Sequence, residues 1–284
     1  MLHRTDSPPP DKTVAPVAPL DELRRRIAAI ERPAPAFQES HGTGTPALPW
    51  TFDLAPLDQA LPPEGLAVGG LHETTGGEHR DEPAALAFIL AMLRRLERRD
   101  GRDTILLCQS DAARRRFGRA YGHGLAAIGL DPDKTLIADI RRDQDVLWAV
   151  EEGLTSGALA AVVADLDTAP FTATRRLSLA ARESATPALL VRADGLGPSS
   201  AAMTRWRVST LPGTPDTTDQ RAPGLPRWRL ELVRCRGGRP ATFTMEWNRE
   251  TGDFRLVAAL ADRPAAPVSG ERGPVVDRAI RRTW

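Results

Sequence analysis

The chain has 284 residues, 41% of them hydrophobic, and a formal net charge of +1. That is enough apolar material for a core, as one α/β unit with tails or as two domains, and too little net charge for a field that draws in DNA from every side. Cys108 and Cys235 are the only cysteines and lie far apart, which excludes a disulfide scaffold and a clustered metal site. With neither an apolar leader nor a run of about 18 apolar residues, the expectation is a cytoplasmic protein without a membrane partner.

Residues 1–19 hold Pro8, Pro9, Pro10, Pro16 and Pro19 among polar residues, a composition too poor in apolar surface to offset the entropy of ordering. Leu20, Leu23, Ile27 and Ile30 then recur at helical spacing, with Arg24, Arg25 and Arg26 largely off the stripe, so an amphipathic helix is expected over 20–32. The stripe packs on the chain's own core or docks on a partner. Pro33 and Pro35 stop it, and the arm of 1–49 gives way to a core over 50–258.

The core opens on LDQALPPEGLAVGGLHETTGGEHRDEPAALA, residues 57–87. An apolar strand is expected over 66–71, a turn at Gly76-Gly77, and an amphipathic helix from Pro83, a residue suited to the first turn. Strand, turn and helix in that order are the layout of a nucleotide-binding P-loop, G-x-x-x-x-G-K-[ST], whose backbone cradles phosphates while the Lys and hydroxyl serve the phosphates and metal. Counted from Gly76, the last three places hold Asp81, Glu82 and Pro83. Carboxylates there repel phosphate, and Pro83 has neither hydroxyl nor amide N–H. Lys12 and Lys134 are the only lysines, so the core has none for this role.

Downstream, TILLC (104–108), TLIAD (135–139), the strand of 160–165 and PALLV (187–191) read as strands, the most apolar of them suited to burial in a parallel sheet. Helices are expected over 83–99, within 110–130, and over 145–154 and 171–184. Asp165 closes its strand at the carboxyl edge, where open parallel sheets bind ligands. Trp228, Leu230 and Leu232 alternate with Arg227, Arg229 and Glu231, and Gly237-Gly238 turns the chain towards Phe243, Met245 and Trp247, a hairpin within 227–258. Trp228 and Trp247 are core residues or a base-stacking platform. The basic, Pro/Gly-rich tail of 259–284 ends with Ile280, Arg281, Arg282 and Trp284, which with the stripe of Leu20, Leu23, Ile27 and Ile30 are the candidate partner-binding residues.

The run Leu57 to Leu61, with Pro62, Gly65 and Glu73, resembles the approach to the first core strand of RecA proteins. Ala161-Val162-Val163-Ala164-Asp165 resembles a Walker B strand, and RLELVRCRGGRPATFTME (229–246) is typical of the ImuA family, the RecA-like accessory proteins of the bacterial inducible mutagenesis cassette. The resemblance covers about 50–258. It implies a RecA-like α/β core with a mostly parallel central sheet, a degenerate nucleotide site and a C-terminal β-hairpin extension. By the same resemblance Gln109 stands near the place of the general base, with Asp111 close by; an amide cannot take a proton from water. Gly76, Gly77, Asp81, Glu82, Pro83 and Asp165 are then relics, with no catalytic residue, cofactor or metal. The implied role is a non-catalytic adaptor in SOS-inducible translesion synthesis, nucleoid-associated, contacting RecA recombinase and an ImuB-type polymerase-like subunit, and through these an error-prone replicative-type polymerase. The alternatives are a SulA-like cell-division inhibitor, a RecA-class ATPase, or a protein that touches single-stranded DNA directly.

Overall fold

In a computed structural model, the protein is described over residues 50–96, 101–197, 199–214, 224–248 and 251–257. The arm of 1–49 and the tail of 259–284 lie outside them. A short helix α1 (Ala55–Asp58) precedes β1 (Leu71–Gly76), a 3-10 turn (His79–Asp81) and α2 (Glu82–Arg94). There follow β2 (Ile105–Ser110), α3 (Asp111–Phe117), α4 (Gly122–Ile128), β3 (Thr135–Ile140), α5 (Asp143–Thr155), β4 (Ala161–Leu166), α6 (Phe171–Ser184) and β5 (Ala188–Arg192). Four strands close the chain: β6 (Thr204–Thr214), β7 (Leu225–Cys235), β8 (Ala241–Trp247) and β9 (Phe254–Leu256).

These strands form one sheet in the order β3-β2-β4-β5-β1-β6-β7-β8-β9. Pairing is parallel from β3 to β6 and antiparallel from β6 to β9. The architecture is therefore α/β with a large, mostly parallel sheet. β2, β4 and β5 read as apolar runs because helices cover both faces. One face carries Phe88 and Ile89 of α2 and Leu125 of α4; the other carries Val146 and Leu154 of α5 with Leu177 of α6. The hairpin of β7 and β8 extends the same sheet. Its Trp228 and Trp247 are stacked, with ring centroids 6.0 Å apart, and both are buried in the core that holds Phe88. That is the core reading of the two tryptophans, and it removes them as a base-stacking platform.

The central strand differs from its expected position. β1 begins at Leu71, where the expected strand ends, and runs through the polar LHETTG. Apolar count misplaces it because β1 buries polar groups that find partners. The His72 ring meets Thr204 Oγ1 at 2.8 Å and Ala67 O at 2.8 Å, and Thr75 Oγ1 donates to Arg192 O at 2.8 Å. Helix α2 also stops at Arg94 rather than continuing to 99; residues 97–100 lie outside those described.

Glu73 is wholly buried and joins three neighbours of β1. Its Oε1 accepts from Arg192 Nη1 at 3.3 Å and from Ser200 Oγ at 2.6 Å, and its Oε2 accepts from Arg205 Nε at 3.1 Å. Arg192 also donates to both carboxylate oxygens of Asp194, at 3.0 and 2.8 Å, and Arg205 donates to Gly197 O at 2.7 Å. Two buried cations thus sit against two carboxylates, and the connection from β5 to β6 is held at several points. Removing one partner leaves the others charged and dry. Glu73→Gln is expected to cost about 3–5 kcal/mol of stability, measured by urea unfolding against the parent chain.

Candidate functional site

The core residues singled out in the sequence sit at the carboxyl ends of β1, β2 and β4, where crevices of open α/β sheets receive ligands. Three consequences of local sequence build it. Gly76 and Gly77 let the chain turn sharply out of β1: a Cβ on Gly76 would lie 2.7 Å from Glu78 O and 2.8 Å from Glu82 N, and one on Gly77 would collide with Ser209 Oγ. The 3-10 turn is then fixed by a reciprocal capping box between Glu78 and Asp81. Pro83, exposed in the first turn of α2, suits a position with no amide to satisfy.

The turn uses its own donors. Gly77 N–H donates to Val208 O at 2.8 Å, Glu78 N–H to Asp81 Oδ2 at 3.1 Å, and Asp81 N–H to Glu78 O at 2.9 Å. Asp81 faces β6 rather than the crevice, accepting from Thr210 N–H at 3.0 Å and from the Thr210 hydroxyl. Burial disfavours its charge, but the Thr210 hydroxyl and amide and the Glu78 amide hold its carboxyl below the usual carboxylate range.

Glu82 behaves differently. Its Oε1 meets His79 Nδ1 at 2.8 Å and its Oε2 meets Arg116 Nε at 2.7 Å, while Arg116 Nη1 pairs with Asp167. An arginine from α3 therefore bridges the start of α2 to the residue just past β4. Burial works against the Arg116 charge, and the Asp167 and Glu82 carboxylates more than offset it, so its pKa is raised. Beside this bridge, Asp165 Oδ2 accepts from Gln109 Nε2 at 3.1 Å, and Gln109 Oε1 accepts from Ala120 N–H at 2.7 Å. Both ends of the Gln109 amide are in use. Asp111 turns away to Arg114 and Arg115.

The sequence-expected residues are thus brought together at one edge: Gly76 and Gly77 as the turn, Glu82 and Asp165 facing the crevice, with Asp81 directed away from it. Leu20, Leu23, Ile27, Ile30, Ile280, Arg281, Arg282 and Trp284 lie outside the described residues. Sequence reading missed Arg116 and Asp167, which differ in no visible way from the other arginines and aspartates around them. Among the described residues no group of His, Cys, Asp and Glu is arranged to hold a metal, and no helix is long and apolar enough to cross a membrane.

What the fold and this edge define is an α/β protein with a strand-turn-helix unit at its centre and a carboxyl-edge crevice bridged by its own charged side chains. Two curated proteins from two strains of Caulobacter vibrioides, each named Protein ImuA, are 33% identical to it over 247 residues, 81% of this chain and 98% of theirs. The chain belongs to the ImuA family. No family profile matches it.

The charge of Asp165 responds to pH. Burial, with Glu82 and Asp167 nearby, raises its carboxyl to about 6 against the pull of Gln109 and Arg116. The folded value exceeds the unfolded one, so the stabilisation is complete below the unfolded pKa and is lost as pH rises through about 6. Asp165→Asn, which needs no proton, is expected to be more stable than the parent at pH 7.5, by up to about 3 kcal/mol, with the gap closing near pH 4. Gln109→Glu, which sets a second carboxylate against Asp165, is expected to melt lower at pH 7.5. Thermal melts of both variants at the two pH values check this.

Proposed function

We propose that this protein is a non-catalytic adaptor of the ImuA/ImuB mutagenesis cassette, working in SOS-inducible translesion synthesis through contacts with RecA and an ImuB-type subunit. In this reading the core is RecA-like and its nucleotide site is degenerate. The observation that carries it is the Glu82–Arg116–Asp167 bridge across the mouth of the central strand-turn-helix unit. A nucleotide phosphate placed there would meet a carboxylate where a P-loop supplies a lysine, and a turn whose amides already donate to Val208, Asp81 and Glu78. Loss of a charged hydrogen bond to phosphate alone costs roughly 1.5–3 kcal/mol, before repulsion is counted. Gln109 supports the same reading, since an amide engaged at both ends cannot activate water. Family membership supports the cassette, and the arm and tail supply the expected docking segments.

Two measurements test it. The tagged full chain, captured from DNA-damaged cells, is expected to bring down RecA or the ImuB-type subunit by mass spectrometry, and to lose one of them when residues 262–284 are removed. The purified chain is expected to show neither saturable binding of a fluorescent ATP analogue nor phosphate release. Saturable ATP binding together with capture of neither partner would overturn the adaptor.

A further inference from the structure

A second crevice opens at the same edge of the sheet, one strand further out. β2 and β3 are adjacent and parallel, yet the chain leaves β2 towards the face that holds Leu125 of α4 and leaves β3 towards the face that holds Val146 of α5. Diverging connections of this kind leave a gap beyond the strand ends, the usual place for a ligand in an open α/β sheet. Here the gap is an open cleft of about 630 Å³ lined by Asp111, Ala112, Arg115, Arg141, Arg142 and Asp145.

Its charge is cationic and available. Arg115 pairs with Asp111 at 3.2 Å and Arg142 with Asp145 at 2.9 Å, but both arginines are largely exposed, so these pairs are weak and open to exchange. Arg141 is exposed and has no hydrogen-bond or ion-pair partner among the described residues. Along the same edge Arg119 pairs with Asp139, a carboxylate that Arg114 also reaches while pairing with Asp111. Two large rings beyond the lining are exposed: Tyr121, two residues past Arg119 at the start of α4, is 63% exposed, and Trp148, one helical turn from Asp145 in α5, is 62% exposed. The cations run along the edge instead of converging in an enclosed pocket, which suits a polymer of phosphates better than a single nucleotide.

We infer that the cleft between the carboxyl ends of β2 and β3 binds single-stranded nucleic acid, its phosphates on Arg115, Arg141 and Arg142 and its bases against Trp148 and Tyr121. Such binding needs a cationic track for the backbone and aromatic faces for the bases. It is separate from the bridged crevice at Glu82 and stands whether or not the adaptor reading does.

Fluorescence anisotropy of the full chain with a labelled oligothymidylate tests it between about 50 and 200 mM salt. Saturable binding is expected, with log K falling linearly in log salt. Arg141→Glu should weaken it by about tenfold or more and reduce the slope by about 0.7 for each phosphate no longer neutralised. Trp148→Ala should weaken it by about tenfold and leave the slope unchanged. Both side chains are exposed, so unaltered melting temperatures are expected, and Arg115→Glu provides a third, independent site on the cleft. Three results would each overturn the inference: no saturable binding at the lowest salt, binding that survives all three substitutions, and displacement by polyglutamate of matched charge as readily as by unlabelled oligothymidylate.

Discussion

The buried carboxylate of Glu73 is the constraint on which the middle of the protein depends. A charge with no exposure is tolerable only where opposite charge and donors surround it, and β1 supplies that by lying between β5 and β6, whose Arg192 and Arg205 reach it from both sides. The same carboxylate accepts from Ser200, and the two arginines go on to Asp194 and Gly197. The junction of the parallel half of the sheet with the antiparallel half is thus set by ionic geometry as well as by apolar packing. A register slip of one residue in β1 would turn Glu73 into the opposite face, among Phe88 and Trp206.

With β1 fixed in this way, its end is fixed too. Gly76 and Gly77 leave the sheet under β6, with Gly77 bonded to Val208 and Asp81 to Thr210, so the turn is sewn to its neighbouring strand. Helix α2 then starts with Glu82 aimed at α3. Arg116 answers it and reaches Asp167 beyond β4, joining three elements that the sheet brings side by side. The crevice that results is shaped by pairing among its own side chains, and the half-buried Asp165 beside it is held by an amide rather than by a cation of its own.

Much of the fold is legible in residue pattern. The helix of α6 is read at its true limits, 171–184, and β2, β4 and β5 follow from apolar runs that only doubly covered strands require. The alternation of Trp228, Leu230 and Leu232 gives the buried face of β7 directly. β1 is the exception, because its buried groups are polar. His72, Glu73 and Thr75 look like a loop until Thr204, Ala67, Arg192 and Arg205 are placed around them, and those partners come from as far as 132 residues away.

For the site, sequence alone determined the identities that matter at the turn: two glycines that close it, carboxylates at Asp81 and Glu82 in place of a small residue and a lysine, and an amide at Gln109. These are local facts, fixed by spacing along a strand-turn-helix unit. Sequence could not say that Asp81 faces β6 while Glu82 faces the crevice, nor that one arginine in the run Arg114 to Arg116 bridges Glu82 and Asp167 while its neighbours go to Asp111 and Asp139. Those choices depend on which strands lie next to one another, and sheet order is set by long-range pairing that no short window of sequence contains.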